Sequence, residues 1–160
     1  MREREVLITR VFDAPRELVF RAWTDPEHLR HWFAPHGCEV EILSLDVRPG
    51  GEFRYGIRPP KGADCWCRGT YLEVTSPERI VYSIALTDEH GRFTDSVTAG
   101  KDPDWPAETV VTVTFAERAG KTEVTLHQNA LESVAKRTGA YPSWLQMLDR
   151  LAEELRRHPQ

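Results

Sequence analysis

The sequence has no long apolar run: nothing in it approaches the 18 residues that a membrane span needs. Nor does it carry excess positive charge. Twenty-one Lys and Arg stand against 25 Asp and Glu, for a net charge of −4 and a pI of about 5.9. A nucleic-acid partner would need a basic stripe, and none is present. Cysteine is scarce, with Cys38, Cys65 and Cys67 making an odd count. Cys65 and Cys67 would point to one side of the same strand, a poor geometry for a mutual bridge, so reduced thiols in a cytoplasmic protein are expected. The charged start Met1-Arg2-Glu3-Arg4-Glu5 is followed by no apolar h-region, so no secretory signal is expected. Walker loop, dinucleotide-binding glycine fingerprint, nucleophile elbow and zincin helix are all missing. The chain therefore offers no strong enzyme signature and implies no cofactor.

What is there is a chain of 160 residues, 40% hydrophobic and 29% charged, the composition of a globular protein. It is expected to form a single domain over residues 1–160. The strongest periodic signal is at the C-terminal end. Trp144, Met147, Leu148, Leu151 and Leu155 recur at three- and four-residue steps and share one helical face. Gln146, Asp149, Arg150, Glu153, Glu154 and Arg157 fall largely on the other. Pro142 suits a first turn, Arg156, Arg157 and His158 suit the negative end of the helix dipole, and Pro159 ends the run. A helix from Tyr141 to Arg157 is roughly 25 Å long, enough to cross a small domain.

Upstream the period is two. Glu5 to Phe12, Glu39 to Val47, Glu52 to Ile57, Cys65 to Val74, Arg79 to Leu86, Glu108 to Phe115 and Thr122 to Gln128 read as strands. Two short helices follow the first strand, opened by Asp13-Ala14-Pro15 and by Thr24-Asp25-Pro26-Glu27. Leu18, Val19, Ala22 and Trp23 form the apolar face of the first; Leu29, Trp32 and Phe33 point inward from the second. Arg48-Pro49-Gly50-Gly51 suits a type II turn. The Cys65 strand is expected to place Trp66, Arg68, Thr70, Leu72 and Val74 on one side. Thr87 to Ala107 keeps neither period; a connection that long is functional or mobile, and Trp105 suits a covering role. The fold expected is α+β, a curved seven-stranded antiparallel sheet around a long C-terminal helix.

Several stretches resemble a known family. Phe12-Asp13-Ala14-Pro15, Val19-Phe20, the segment from Ala22 through Leu29, and Trp32-Phe33-Ala34-Pro35 are similar to the N-terminal signature of the SRPBCC superfamily. The branch resembled is the C-terminal domain of the activator of the heat shock protein 90 ATPase. Asp46 to Gly51, Gly69 to Val74, Arg79 to Tyr82, Thr112 to Phe115, Gly120 to Leu126 and the final helix fit its pattern, although Ser143 stands where that pattern has glycine. The resemblance implies the helix-grip fold of START lipid-transfer domains and the birch pollen allergen. It implies a largely apolar cavity between sheet and helix, for lipids, polyketides or other hydrophobic molecules. Some members are cyclases or aromatases. The eukaryotic activator has a separate N-terminal domain that this chain lacks the length for, so direct stimulation of the chaperone is not expected. Fold alone does not settle function.

The cavity candidates are Trp32, Phe53, Tyr55, Trp66, Tyr82 and Trp144, with Met147, Leu148 and Leu151 from the helix and Arg68, Thr112 and Gln128 as polar groups among them. Core packing explains the same aromatic residues, and each one singly is more often core than ligand contact. Arg68, if internal, needs a carboxylate or an anionic ligand; a salt bridge at the sheet edge is the plainer reading. His127 could act as an acid or base near neutrality, but its strand phase is opposite to Val124, Leu126 and Gln128. His28, His31, His36 and Cys38 have unconvincing spacing for a metal, and a solvated polar helix face explains the histidines better. The Cys65 and Cys67 thiols read as small packing residues. The expected function is binding of a small hydrophobic molecule, with a cyclase-like enzyme or a stress-related interaction domain as alternatives. A homodimer stays open, with Thr87–Ala107 as either lid or contact.

Overall fold

The computed structural model describes residues 4–157. His158 and Pro159, read above as helix-end signals, and the first three residues of the charged start lie outside that range. Seven strands form one sheet: β1 Glu5–Phe12, β2 Glu39–Leu45, β3 Glu52–Arg58, β4 Cys65–Thr75, β5 Arg79–Thr87, β6 Glu108–Arg118 and β7 Lys121–Leu131. Their spatial order is β1-β7-β6-β5-β4-β3-β2, antiparallel throughout. Four helices accompany it: α1 Arg16–Thr24, α2 Pro26–Trp32, α3 Glu132–Thr138 and α4 Ala140–Arg157. The expected α+β architecture is present. One element is additional: α3 occupies part of what read as a lead-in to the last helix. It ends at Gly139, whose φ of 92° lets the chain turn directly into α4.

Local chemistry accounts for the ends of these elements. The Asp25 side chain accepts from the Glu27 N–H and caps α2, with Pro26 in the first turn. Asp13 does not cap α1; Pro15 holds that place without a side-chain bond. Gly50 has φ of 83° and Gly51 N–H donates to the Arg48 carbonyl at 2.8 Å, closing the expected turn. The last hairpin turns tightly on Ala119 and Gly120, both with positive φ, so β6 and β7 run longer than their apolar alternation suggests.

The core lies between the concave side of the sheet and the helices. Val111, Val113 and Phe115 of β6 and Val124 and Leu126 of β7 are buried beneath α1 and α4. All five apolar residues of the α4 stripe are buried. The main backbone neighbours of α4 are α1, α2 and α3 rather than strands. Trp23 stacks on Trp144 and meets Trp32 and Phe115 edge-on, so aromatic rings join α1, α2, α4 and the sheet.

Three expectations about facing are overturned. In β4 the concave side carries Cys67, Gly69 and Tyr71, while Trp66, Arg68 and Thr70 lie on the convex side and Leu72 is exposed. A bulge between Tyr71 and Glu73 then shifts the phase, so Val74 opposes the buried Ile80. One strand therefore presents two phases, which a strict alternation cannot describe. Next, His28 is not on a solvated face: it is buried, and its Nδ1 lies 2.9 Å from Glu154 Oε2. Glu154, read as part of the polar side of the last helix, is buried with it. Finally, Arg150 turns back to donate to the carbonyls of Ala34, Pro35 and Cys38, tying the turn after α2 to α4.

Gly69 shows how tightly the closed part of the core is filled. A Cβ there would lie 2.1 Å from the Ser83 carbonyl oxygen and 2.3 Å from the Phe53 ring. Gly69→Ala is expected to destabilise the protein by about 1–3 kcal/mol, as overpacking does. A urea midpoint equal to that of the wild type would show that the Ser83 backbone and the Phe53 ring both give way freely.

Candidate functional site

The helices stop short of filling the concave side. Between the sheet and the first half of α4 lies a cleft of about 750 Å³. Its floor is the inner side of β3, β4 and β5: Tyr55 and Ile57, Cys65 and Cys67, Ile84 and Leu86. Phe33 closes it beyond α2, and Ala140, Ser143, Trp144 and Met147 of α4 form the opposite wall. Thr109 and Gln128 contribute polar groups from β6 and β7. The stretch from Gly100 through Ala107 forms the remaining side, with Lys101, Asp102 and Trp105 among the lining.

The connection between β5 and β6 is pinned in place. Leu86 N–H donates to the Ala107 carbonyl, and Thr94 N–H donates to the Leu86 carbonyl. The Ser96 hydroxyl donates to the Trp105 carbonyl. Asp102 and Asp104 both bind Arg137 of α3, at 3.2 and 2.7 Å. The hydrogen bonds from the Asp104 N–H and Arg137 hold the Asp102 carboxyl below its ordinary range. Trp105 packs against the core from this segment.

Polar groups at the cleft are arranged in two sets. The Gln128 amide donates to the Thr109 hydroxyl at 3.0 Å, and its oxygen accepts from the Trp144 indole N–H at 3.0 Å. Gln128 is thus committed to holding Trp144. The other set is Tyr55, Cys65, Cys67 and Lys101. Cys65 is pushed down to about 6, chiefly by its hydrogen bond with Cys67 and further by Lys101, against the opposing effect of burial. Cys67 moves upward, through that same bond and through burial. Burial also keeps the Tyr55 phenol well above its ordinary value.

A second, much smaller void of about 30 Å³ lies under β2 and β3, lined by Trp23, Phe53, Tyr71, Ile80 and Tyr82 among others. It is a packing gap of roughly one water's volume.

Of the expected cavity residues, Tyr55, Gln128, Trp144 and Met147 line the cleft, while Phe53 and Tyr82 line the smaller void together with Tyr55. Trp32 is fully buried, its indole donating to the Ala22 carbonyl at 2.9 Å; Leu148 and Leu151 are core residues, and these three line neither space. Trp66, Arg68 and Thr112 stand on the convex side. The Trp66 ring covers Gly56, where a Cβ would come within 2.4 Å of it. Arg68 binds Glu52 at 2.6 Å, the plain salt bridge anticipated for it. His127 also faces outward, 2.8 Å from Glu5. Cys65, Cys67, Lys101 and Thr109 are among the lining residues that the apolar pattern did not single out, while Trp105 was expected in a covering role. The signal for the two cysteines was the alternate phase of β4, shared with Tyr71.

The profile of activator of Hsp90 ATPase homolog 1-like proteins matches residues 13–156. The chain belongs to that family. Solved structures agree in fold. A Chromobacterium violaceum protein is 26% identical, over 94% of this chain and 96% of that one, with a TM-score of 0.75. A Staphylococcus epidermidis protein is also 26% identical, over 100% and 94% of the two chains, with a TM-score of 0.80. A family member from Silicibacter pomeroyi has 21% identity over 95% and 97%, with a TM-score of 0.75, a likeness of fold alone. Among proteins of curated function none matches the chain. Among the described residues no group of three or more metal-ligating side chains is assembled, and no helix is long and apolar enough to cross a membrane.

The Trp144–Gln128–Thr109 arrangement is open to a direct test. Gln128→Leu leaves a buried indole N–H without its acceptor and is expected to cost about 1–3 kcal/mol. In a double-mutant cycle with Trp144→Phe, the two losses are expected to be non-additive by about 1 kcal/mol. Additive losses in chemical denaturation would show that the indole bond contributes nothing.

Proposed function

We propose that the protein binds a small hydrophobic molecule in the cleft between the sheet and α4. The observation that carries this reading is the 750 Å³ space itself. Ligand pockets commonly measure about 300–1,000 Å³ and are mostly apolar, with a few polar groups that fix orientation. Phe33, Ile57, Ile84, Leu86, Trp105 and Met147 supply the apolar lining; Thr109 and the cysteine set supply the polar points. The family's fold supports the same reading. Tyr55, Gln128, Trp144 and Met147 are the ligand contacts we assign from the original candidates.

The enzymatic alternative rests on other residues than those first considered. Arg68 and His127 point away from the cleft, while Cys65 and Lys101 face it. Any chemistry would begin from that second pair.

Filling the space should abolish binding. Ser143→Phe places a ring into the cleft and is expected to weaken a bound hydrophobic dye, 1-anilinonaphthalene-8-sulfonate, by at least about tenfold. Thr112→Phe, on the convex side, should leave the dye affinity unchanged. Fluorescence titration checks both, with circular dichroism to confirm folding. A folded S143F protein that binds dye like the wild type would end the proposal.

A further inference from the structure

We infer that the cleft carries its own nucleophile, the Cys65 thiolate, which captures apolar α,β-unsaturated carbonyl compounds as thioether adducts. This rests on the cleft being a site for hydrophobic molecules, and it names their chemical class.

The argument begins with β4. Cys65 and Cys67 are two residues apart on one strand, so both sulfurs face the same way, and that way is into the cleft. Cys67 is buried opposite Tyr55, and Cys65 is half-buried opposite Ile57 at the end of the β3–β4 pairing. A thiol that merely fills space needs no donors around it. Here Tyr55, Cys67 and Lys101 all border the cleft with Cys65, and Cys67 and Lys101 both hold the Cys65 thiol below its ordinary range. Other charged groups nearby are occupied: Asp102 by Arg137, and Asp64 by Arg58 at 3.6 Å.

Such a sulfur is a soft nucleophile, and its natural partner is a soft, polarised carbon. In the addition, an S–C bond forms at the β-carbon of the ligand. The C=C π pair moves onto the α-carbon and carbonyl oxygen as an enolate. The Lys101 ammonium faces that developing charge. The α-carbon then takes a proton from water, so the step needs no oxidant or reductant. The apolar lining receives the hydrocarbon tail.

Magnitudes decide where to look. At pH 6 about half of Cys65 is ionised, against about 0.3% of a free thiol of pKa about 8.5. Lower basicity offsets about tenfold of that gain, because thiolate nucleophilicity falls with pKa. The net advantage is about tenfold at pH 6 and about twofold at pH 7, before any gain from holding the ligand. The pH profile is therefore the sharper signature: the Cys65 rate should level off above about pH 7, where a free thiol keeps accelerating.

The test uses the full chain with two electrophiles, acrylamide and trans-2-nonenal, followed by intact and peptide mass spectrometry from pH 5 to 9. N-acetylcysteine is the reference, and nonan-1-ol, which cannot react, reports on the cleft by dye displacement. Expected results are a Cys65 adduct forming about tenfold faster than the reference at pH 6, a plateau above pH 7, and a further preference for nonenal over acrylamide. Lys101→Met should move the plateau to higher pH, and Cys65→Ser should abolish the Cys65 adduct. If nonanol displaces dye but Cys65 reacts no faster than N-acetylcysteine and shows no plateau, the nucleophile is refuted while the cleft stands. If the plateau appears with acrylamide but nonanol fails to displace dye and nonenal is not preferred, the assignment to apolar ligands is refuted along with the hydrophobic cleft.

Discussion

The arrangement depends on how α4 is fastened. The Trp144 indole N–H donates to Gln128 on β7, and Trp23 stacks against the same indole from α1. Further along, Glu154 meets His28 of α2, and Arg150 holds three carbonyls of the turn after α2. These contacts fix the helix by directional polar groups, most of them buried, against other helices and the β7 side. Apolar contact has no preferred direction and would let the helix settle onto the sheet; directional bonds do not. The cleft exists because α4 is held where those bonds place it.

The cleft in turn divides the concave side into two kinds of surface. Under α1 and the later part of α4, side chains from β6 and β7 interlock with the helices. Under β3, β4 and β5 the aromatic residues mostly pack on one another: Phe53 lies near Tyr55, Tyr71 and Tyr82. That self-packing leaves Tyr55, Ile57 and the two cysteines as a finished wall with nothing from α4 pressed against it. The Gly100–Ala107 stretch, fastened through Arg137 to α3, supplies the last side and brings Lys101 to Cys65. Its order comes from an Asx-type turn at Asp102 as well as from those ion pairs.

Much of this was legible beforehand, and the failures have definite causes. The α4 stripe was correct because five apolar residues at helical spacing leave only one face to bury. The strands were correct because alternation and turn residues agreed. The phase of β4 was misread because both of its sides carry sizeable side chains: Trp66 and Leu72 on one, Cys67 and Tyr71 on the other. Hydrophobicity favours the first set. Gly69 decides for the second, since only an inward glycine clears the Phe53 ring, and that is a relation between strands, not within one. His28 and Glu154 were misplaced for a related reason. Each is polar and each alone belongs in water; together, 126 positions apart, they are buried as a pair.

By itself the amino-acid order determined the seven strands, the two early helices and the last one, the face that the last helix buries, the turn at Gly50 and the family pattern. These follow from contacts and propensities within a few residues. Tertiary structure alone decided which side of β4 looks inward, that two thiols and a lysine from distant stretches meet at one wall, and that space remains beside them. Those outcomes depend on strand register and on where the polar bonds halt α4. Neither is written in local periodicity, because a one-residue difference of phase exchanges every inward side chain for its outward neighbour.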